Sequence, residues 1–349
     1  MTAKVMTGNF FEDFRVGQHL VHATPRTVTV GDAALYQALY GSRFAVTSGQ
    51  TFARSLGLER MPLDSMLVFH VVFGKTVPDV SINAVANLGY AAGVFGEPVL
   101  PGDTLTTTSQ VIGLKENSNG RTGVVYVRST GVNQDGATVL DYVRWVMVNK
   151  RDTSAPAPET VVPDLPESVA VDRLVVPFAI ERYDTALAGS PYLWDDYAVG
   201  ERIDHVDGMT IEEAEHMMAT RLYQNTAKVH FNQHVEGQGR NGRRIVYGGH
   251  VISIARALSF NGLGNALSVA AINGGTHANP TFAGHTVYCW SEVLDRMELP
   301  GRTDVGALRV RTVATKDRAC ADFPLRGQDG RYLPEVVLDL DYTVLMPRR

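Results

Sequence analysis

The chain repeats itself. Phe11-Glu12-Asp13-Phe14-Arg15-Val16-Gly17 recurs 183 residues later as Trp194-Asp195-Asp196-Tyr197-Ala198-Val199-Gly200, with aromatics, acid, valine and glycine in register. The spacing then holds without a gap: His22 meets His205, Thr27 meets Thr210, Val28 meets Ile211, Asp32 meets Glu215, and Leu39-Tyr40 meet Leu222-Tyr223. Farther on, Pro101-Gly102-Asp103-Thr104-Leu105 meets Ala283-Gly284-His285-Thr286-Val287 at a spacing of 182, and Gln134-Asp135-Gly136 meets Gln328-Asp329-Gly330 at 194. A repeat that keeps its spacing this long reports a duplicated structural unit. The 349 residues are therefore read as two copies of one fold of about 150 residues, a size that can bury its own core.

Between the copies, residues 151–170 read RDTSAPAPETVVPDLPESVA, where four prolines withdraw backbone donors and oppose regular structure. The sequence thus predicts an N-terminal repeat over 1–150, a linker over 151–170 and a C-terminal repeat over 171–349. Within each copy the pattern runs from an extended start through a short helix, about 31–41 and 211–224, to a longer apolar helix and then strands. The second long helix is the clearer, because Val251, Ile254, Ala255 and Leu258 recur at helical spacing behind Gly248-Gly249. Alternation along 123–130, 139–148 and 336–345 reads as antiparallel sheet with one buried face. Asp135-Gly136 and Asp329-Gly330 read as hairpin turns, where glycine accepts positive φ. Strands gathered around one buried helix per half make the fold class α+β.

The charge pattern excludes several functions. With 32 basic against 37 acidic residues and no long run of one sign, no footprint for nucleic acid is present. Cys289 and Cys320 are the only cysteines, too few for a disulfide framework or a zinc pattern, and they fit a reducing cytosol. No stretch reaches the roughly 18 uninterrupted apolar residues of a membrane span, and the N-terminus lacks the apolar core of a signal peptide, so a cytoplasmic protein without membrane contact is expected. Homo-oligomerisation is left open.

Chemistry concentrates in one segment. Arg221-Leu-Tyr-Gln-Asn-Thr-Ala-Lys-Val-His230 is followed by Arg244-Ile-Val-Tyr-Gly-Gly-His250. Together they resemble the MaoC-like (R)-specific enoyl-CoA hydratases, which carry a G-D-x-N-P-x-H segment after a short helix and an A-H-G-M-like segment opening a central helix. Here those positions read Gln224-Asn225-Thr226-Ala227-Lys228-Val229-His230 and Val246-Tyr247-Gly248-Gly249. The histidine and glycine are kept; Asn225 replaces the aspartate. NFFEDFRVGQ, LYQNTAKVHFN and IVYGGHVISIARALSFNGL are similar, more specifically, to the mesaconyl-CoA hydratase branch, from about Asn9 onward. The resemblance implies a tandem (double) hot-dog, each repeat an antiparallel sheet wrapped around a central helix. It also implies reversible hydration of a CoA thioester, mesaconyl-CoA above all, with no cofactor.

Thioester hydration needs a proton carrier, a polarised carbonyl and a placed water. His230 is the expected acid/base, since an imidazole titrates near neutral pH. Gly248 is expected to offer its N–H, at a helix start, to the enolate-like oxygen. Asn225 cannot act as a base and is read as the residue that positions water, with His250 or a second carboxylate sharing the proton work. Tyr247 and Gly249, flanking Gly248, are placed against substrate. A mesaconyl group carries a free carboxylate on its β-carbon, for which His250, Lys228 and Arg221 are the nearest donors. Arg240, Arg243 and Arg244, in a Gly-rich loop, are assigned to the CoA phosphates. The pair His230 and His234 could join a metal on a helix, but no third-ligand segment accompanies it, and no metal is assigned.

Applying the 183-residue spacing, Asn225 falls on Ser42, His230 on Thr47 and Gly248 on Ser65. None is a proton carrier at neutral pH. One working site is expected, with residues 1–150 as its opposite wall. The competing readings are a dehydratase of another (R)-3-hydroxyacyl-CoA, a thioesterase on the same fold, and an acyl-CoA-binding protein without catalysis.

Overall fold

The computed structural model describes residues 4–239 and 241–349. Eleven strands form one sheet in which every pairing is antiparallel. The first repeat supplies β1 (His19–Thr27), β2 (Ala84–Phe95), β3 (Thr104–Glu116), β4 (Thr122–Val132) and β5 (Thr138–Asn149). The second supplies β6 (Arg202–Asp204), β7 (Met209–Thr210), β8 (Ser268–Thr276), β9 (Thr286–Glu298), β10 (Val305–Lys316) and β11 (Val336–Pro347). The order across the sheet is β1-β3-β4-β5-β2-β8-β11-β10-β9-β6, with β7 also on β9. Counted outward from the β2–β8 seam, the chain therefore takes the same path twice. At the seam Ala91 lies opposite Gly274, its own counterpart at the repeat spacing.

Each half-sheet wraps one helix. Ser65–Thr76 is buried from Met66 to Thr76, and Gly248–Leu258 from Gly249 to Leu258. So enclosed, Ser65–Thr76 is apolar on nearly every side, whereas Gly248–Leu258 keeps a distinct apolar face beside the buried polar residues His250, Ser253 and Arg256. The shorter helices Val30–Tyr40 and Glu213–Leu222 lie where the sequence places them, the first closed by a capping box between Thr29 and Asp32. Residues 151–170 contain no helix or strand, only a bridge from Val161 to Leu114. No helix among the described residues is long and apolar enough to cross a membrane.

The two copies meet along a pseudo-twofold axis lined with polar groups. Tyr40 and Tyr223, equivalent residues, share a hydrogen bond of 2.6 Å, and His70 Nε2 lies 2.9 Å from the hydroxyl of its own equivalent, Ser253. Tyr36 donates to the same hydroxyl, and the Tyr40 hydroxyl is 2.8 Å from His250 Nδ1. A single apolar core spans both halves around them. The aligned pair His22 and His205 is structural: each is buried, and each ring joins a serine of the next strand, Ser109 and Ser291.

Both predicted hairpin turns form, but they join different strands. Asp135-Gly136 does turn β4 into β5, with Gly136 at φ 79°. Asp329-Gly330 does not turn β10 into β11. A longer excursion over 317–335 separates those strands, and Gly330 (φ 75°) closes a small hairpin inside it, bridged from Arg326 to Tyr332. The turn chemistry was legible, but an insertion moved it away from the strand ends, and there the repeat spacing grows from 182 to 194.

Candidate active site

Between the two central helices lies a cavity of about 240 Å³. The second repeat contributes Asn225, His230, Tyr247, Gly248 and His277 to its wall. The first contributes Phe73, Val77, Ser81, Asn87, Tyr90 and Arg144. Among the described residues no aspartate or glutamate lines it, so of the two partners considered for His230 a second carboxylate does not stand in the cavity wall.

His230 sits on a single helical turn, Lys228–Phe231. Its Nδ1–H donates to the Ile245 carbonyl at 2.8 Å, which fixes the neutral tautomer with the proton on Nδ1 and the lone pair on Nε2. Burial pushes its pKa down to about 4, against the opposing pull of that carbonyl, so the ring is an unprotonated base at neutral pH. The Tyr247 ring lies 5.5 Å away, centroid to centroid. Asn225 is buried, and its side-chain oxygen accepts the Ala227 N–H at 3.1 Å, which shapes the turn leading to His230.

Gly248 is the first residue of the second central helix, with Tyr247 before it and no side-chain cap. A Cβ on Gly248 would lie 2.5 Å from His277 Nδ1, so only glycine lets that ring pack over the helix start. His277 Nε2 is 3.1 Å from the Tyr90 hydroxyl. Burial first, and then the neighbouring His230, push the His277 pKa down to about 4. Two imidazoles thus share the cavity, and protonation of one opposes protonation of the other.

Several expected residues stand elsewhere. His250 is buried on the Tyr40 hydroxyl, on a side of the first helical turn that does not face the cavity, with burial pushing its pKa down to about 3. It does not line the cavity. Gly249 also faces away: a Cβ there would meet the rings of Tyr247 and His70, making it a packing glycine. Lys228 and Arg221 are exposed, on the sides of their turns opposite the half-buried His230 and the buried Tyr223. Neither Lys228 nor Arg221 lines this cavity. Arg244 is paired with Glu213. Arg243 is exposed, its guanidinium 4.2 Å from the Phe282 ring centroid, next in the chain to the cavity residue Thr281. Arg240 lies outside the described residues. His234 is exposed, and no group of three or more His, Cys, Asp or Glu side chains that could hold a metal ion occurs among the described residues.

Sequence reasoning missed His277, Tyr90, Asn87 and Arg144. His277 follows β8 without any motif, and the others belong to the first repeat. Only Arg144 left a trace: a cation inside the apolar run of β5, Val139 to Val148.

The equivalent region of the first repeat is nearly closed. Thr47 and Ser65 line a cavity of about 60 Å³, into which Arg256 also reaches, its guanidinium 3.4 Å from the Phe44 ring centroid. At the repeat spacing, Arg256 is the counterpart of Phe73.

Comparison with known proteins agrees with this fold. A family model described as mesaconyl-CoA hydratase matches residues 2–323. The chain is 72% identical over 351 residues to a β-methylmalyl-CoA dehydratase of Chloroflexus aurantiacus, each sequence being covered in full. A crystal structure of a putative MaoC domain dehydratase from the same organism superposes with a TM-score of 0.98 at 71% identity, again over all of both chains. A Mycobacterium tuberculosis protein described as a double hotdog fold superposes at 0.76, with 25% identity over 98% of each chain. Identity along its whole length, joined to a helix-wrapped sheet written twice, makes this chain a member of the mesaconyl-CoA hydratase family, on the MaoC-like double hot-dog fold.

Proposed function

We propose that this protein interconverts mesaconyl-CoA and β-methylmalyl-CoA in the cytosol, using the cavity around His230. The observation that carries this reading is the orientation of His230: with Nδ1–H spent on the Ile245 carbonyl, its basic Nε2 is left for a reactant in a cavity without carboxylates.

In the dehydration direction Nε2 takes the proton from the α-carbon. The electrons pass to the thioester oxygen, which the Gly248 N–H, at the positive end of its helix, stabilises. The enolate then collapses to the double bond as hydroxide leaves the β-carbon, and the proton on the imidazole goes to that hydroxide as water. Hydration runs the same steps in reverse. The Asn225 amide holds the water. His277, within electrostatic reach of His230, is the second imidazole able to carry a proton here, a role that the buried His250 does not fill. Residues 1–150 act as the wall that shapes the acyl pocket, and residues 171–349 carry the chemistry. Arg243, at the edge of the cavity, is the described arginine best placed for a CoA phosphate, since Arg244 is already paired.

His230→Ala tests the reading. Loss of general acid–base catalysis lowers turnover by about 10²–10⁴-fold, followed at the enoyl-thioester absorbance, while the melting temperature stays near that of the parent. Turnover within a few-fold of the parent removes His230 from the mechanism.

A further inference from the structure

Arg144 is fully buried in the middle of β5, opposite Tyr90 of β2, and it lines the cavity. Its Nη2 donates to the Thr76 hydroxyl at 2.7 Å and to the Ser81 hydroxyl at 3.3 Å, and its guanidinium stacks 4.3 Å from the Phe73 ring centroid. Nothing else satisfies it. Nε and Nη1 have no hydrogen-bond partner, which leaves three of the five guanidinium N–H bonds idle. The titratable groups around Arg144 are Tyr90, Tyr142 and Tyr247, phenols that burial keeps neutral, so none of them balances its charge. By contrast Lys150, also buried, is held by Glu116 at 2.8 Å. Asn87, on the neighbouring strand and on the same cavity, has both amide atoms buried and unpartnered.

A buried cation without an anion is costly, and folded chains rarely retain one unless its partner arrives from outside. We infer that Arg144, assisted by the Asn87 amide, binds the free carboxylate of the acyl group. This rests on the reading of the substrate as a dicarboxylic acyl thioester, and it gives that carboxylate the anchor that Lys228, Arg221 and His250 do not provide. The planar fork of arginine suits a carboxylate, and the dry setting strengthens the pair. Tyr90 connects this end of the cavity to the reacting end, since it pairs with Arg144 in the sheet and contacts His277 through its hydroxyl. The first repeat thus contributes the specificity of a reaction whose acid/base lies in the second.

The test uses two thioesters that cannot react: methylsuccinyl-CoA, and 2-methylbutyryl-CoA, in which a methyl group replaces the carboxylate. Calorimetry should show the parent preferring methylsuccinyl-CoA by about 100-fold, and Arg144→Met abolishing that preference while leaving 2-methylbutyryl-CoA binding within a few-fold. Because Arg144→Met removes an uncompensated buried charge, the melting temperature of the ligand-free protein should be unchanged or raised. Arg144→Lys should keep part of the preference. Three results overturn the assignment: a preference that survives in folded Arg144→Met, equal loss of both ligands, or failure of both variants to fold. Turnover of mesaconyl-CoA by the parent is measured separately. A parent that binds the carboxylate ligand through Arg144 but hydrates no mesaconyl-CoA would sink the proposed reaction and leave the anchor standing.

Discussion

At the scale of single residues, the site depends on how one hydrogen bond or one missing atom disposes its neighbour. His230 is a base because the Ile245 carbonyl holds its other nitrogen. Gly248 leaves the space that the His277 ring fills, and in the proposed reaction its N–H also faces the thioester oxygen. Gly248→Ala should therefore cost about 1–3 kcal/mol through overpacking and lower turnover as well, since the His277 ring must move off the Tyr90 hydroxyl. Urea melts and steady-state rates check both, and a variant with the parent's stability and rate would show the contact to be slack. The motif residues His230, Asn225, Tyr247 and Gly248 were legible in the sequence because they stand close together at the start of a helix and in the turn before it, and all four line the cavity. His250 and Gly249 share that stretch but face the core, and rotation about a helix is what separates them from their neighbours.

At the scale of elements, the pseudo-twofold axis is held by hydrogen bonds between equivalent residues. Tyr40 bonds both Tyr223 and His250 inside the interior. Tyr40→Phe leaves both partners unsatisfied and should cost about 1–3 kcal/mol. Adding Tyr223→Phe should then cost less than its own single-mutant penalty, because the bond it would break is already gone. Strict additivity in a double-mutant cycle would show that the bond contributes nothing. The elements themselves were well read from periodicity, since the short helices, the central helix from Gly248 and the strands of alternating burial lie close to where the sequence puts them. Asp329-Gly330 forms the hairpin turn its residues predict, but local φ preferences do not say which strands a turn connects, and here it lies inside the excursion between β10 and β11.

At the scale of the whole molecule, burial of histidine sets the response to acid. Burial pushes His70 and His250 down to about 3, and His205, His230 and His277 down to about 4. Above the unfolded value near 6.5 these rings are neutral in both states, and their neutrality has no cost. As the pH falls from about 6.5 toward 4, the unfolded chain takes up protons that the folded chain refuses, so stability is lost through that window. Each such ring contributes up to about 1.4 kcal/mol per pH unit there. The urea midpoint should fall steeply between pH 7 and pH 5, and a flat midpoint would show that the rings are more solvated than their burial implies. The cavity also belongs to the whole molecule. A chain of residues 171–349 alone lacks Phe73, Asn87, Tyr90 and Arg144 and exposes β8, so it should be inactive and prone to self-association. Turnover by that fragment would show that the first repeat is dispensable.

The sequence by itself determined the duplication and the fold class and pointed to the segment around His230, because each is a matter of residue type at a spacing along the chain. Only the tertiary structure decided what faces that segment. Asn87, Arg144 and His277 are remote from His230 in sequence and reach it through the β2–β8 seam and the antiparallel register beside it, and no local pattern encodes which strands of a duplicated sheet will meet.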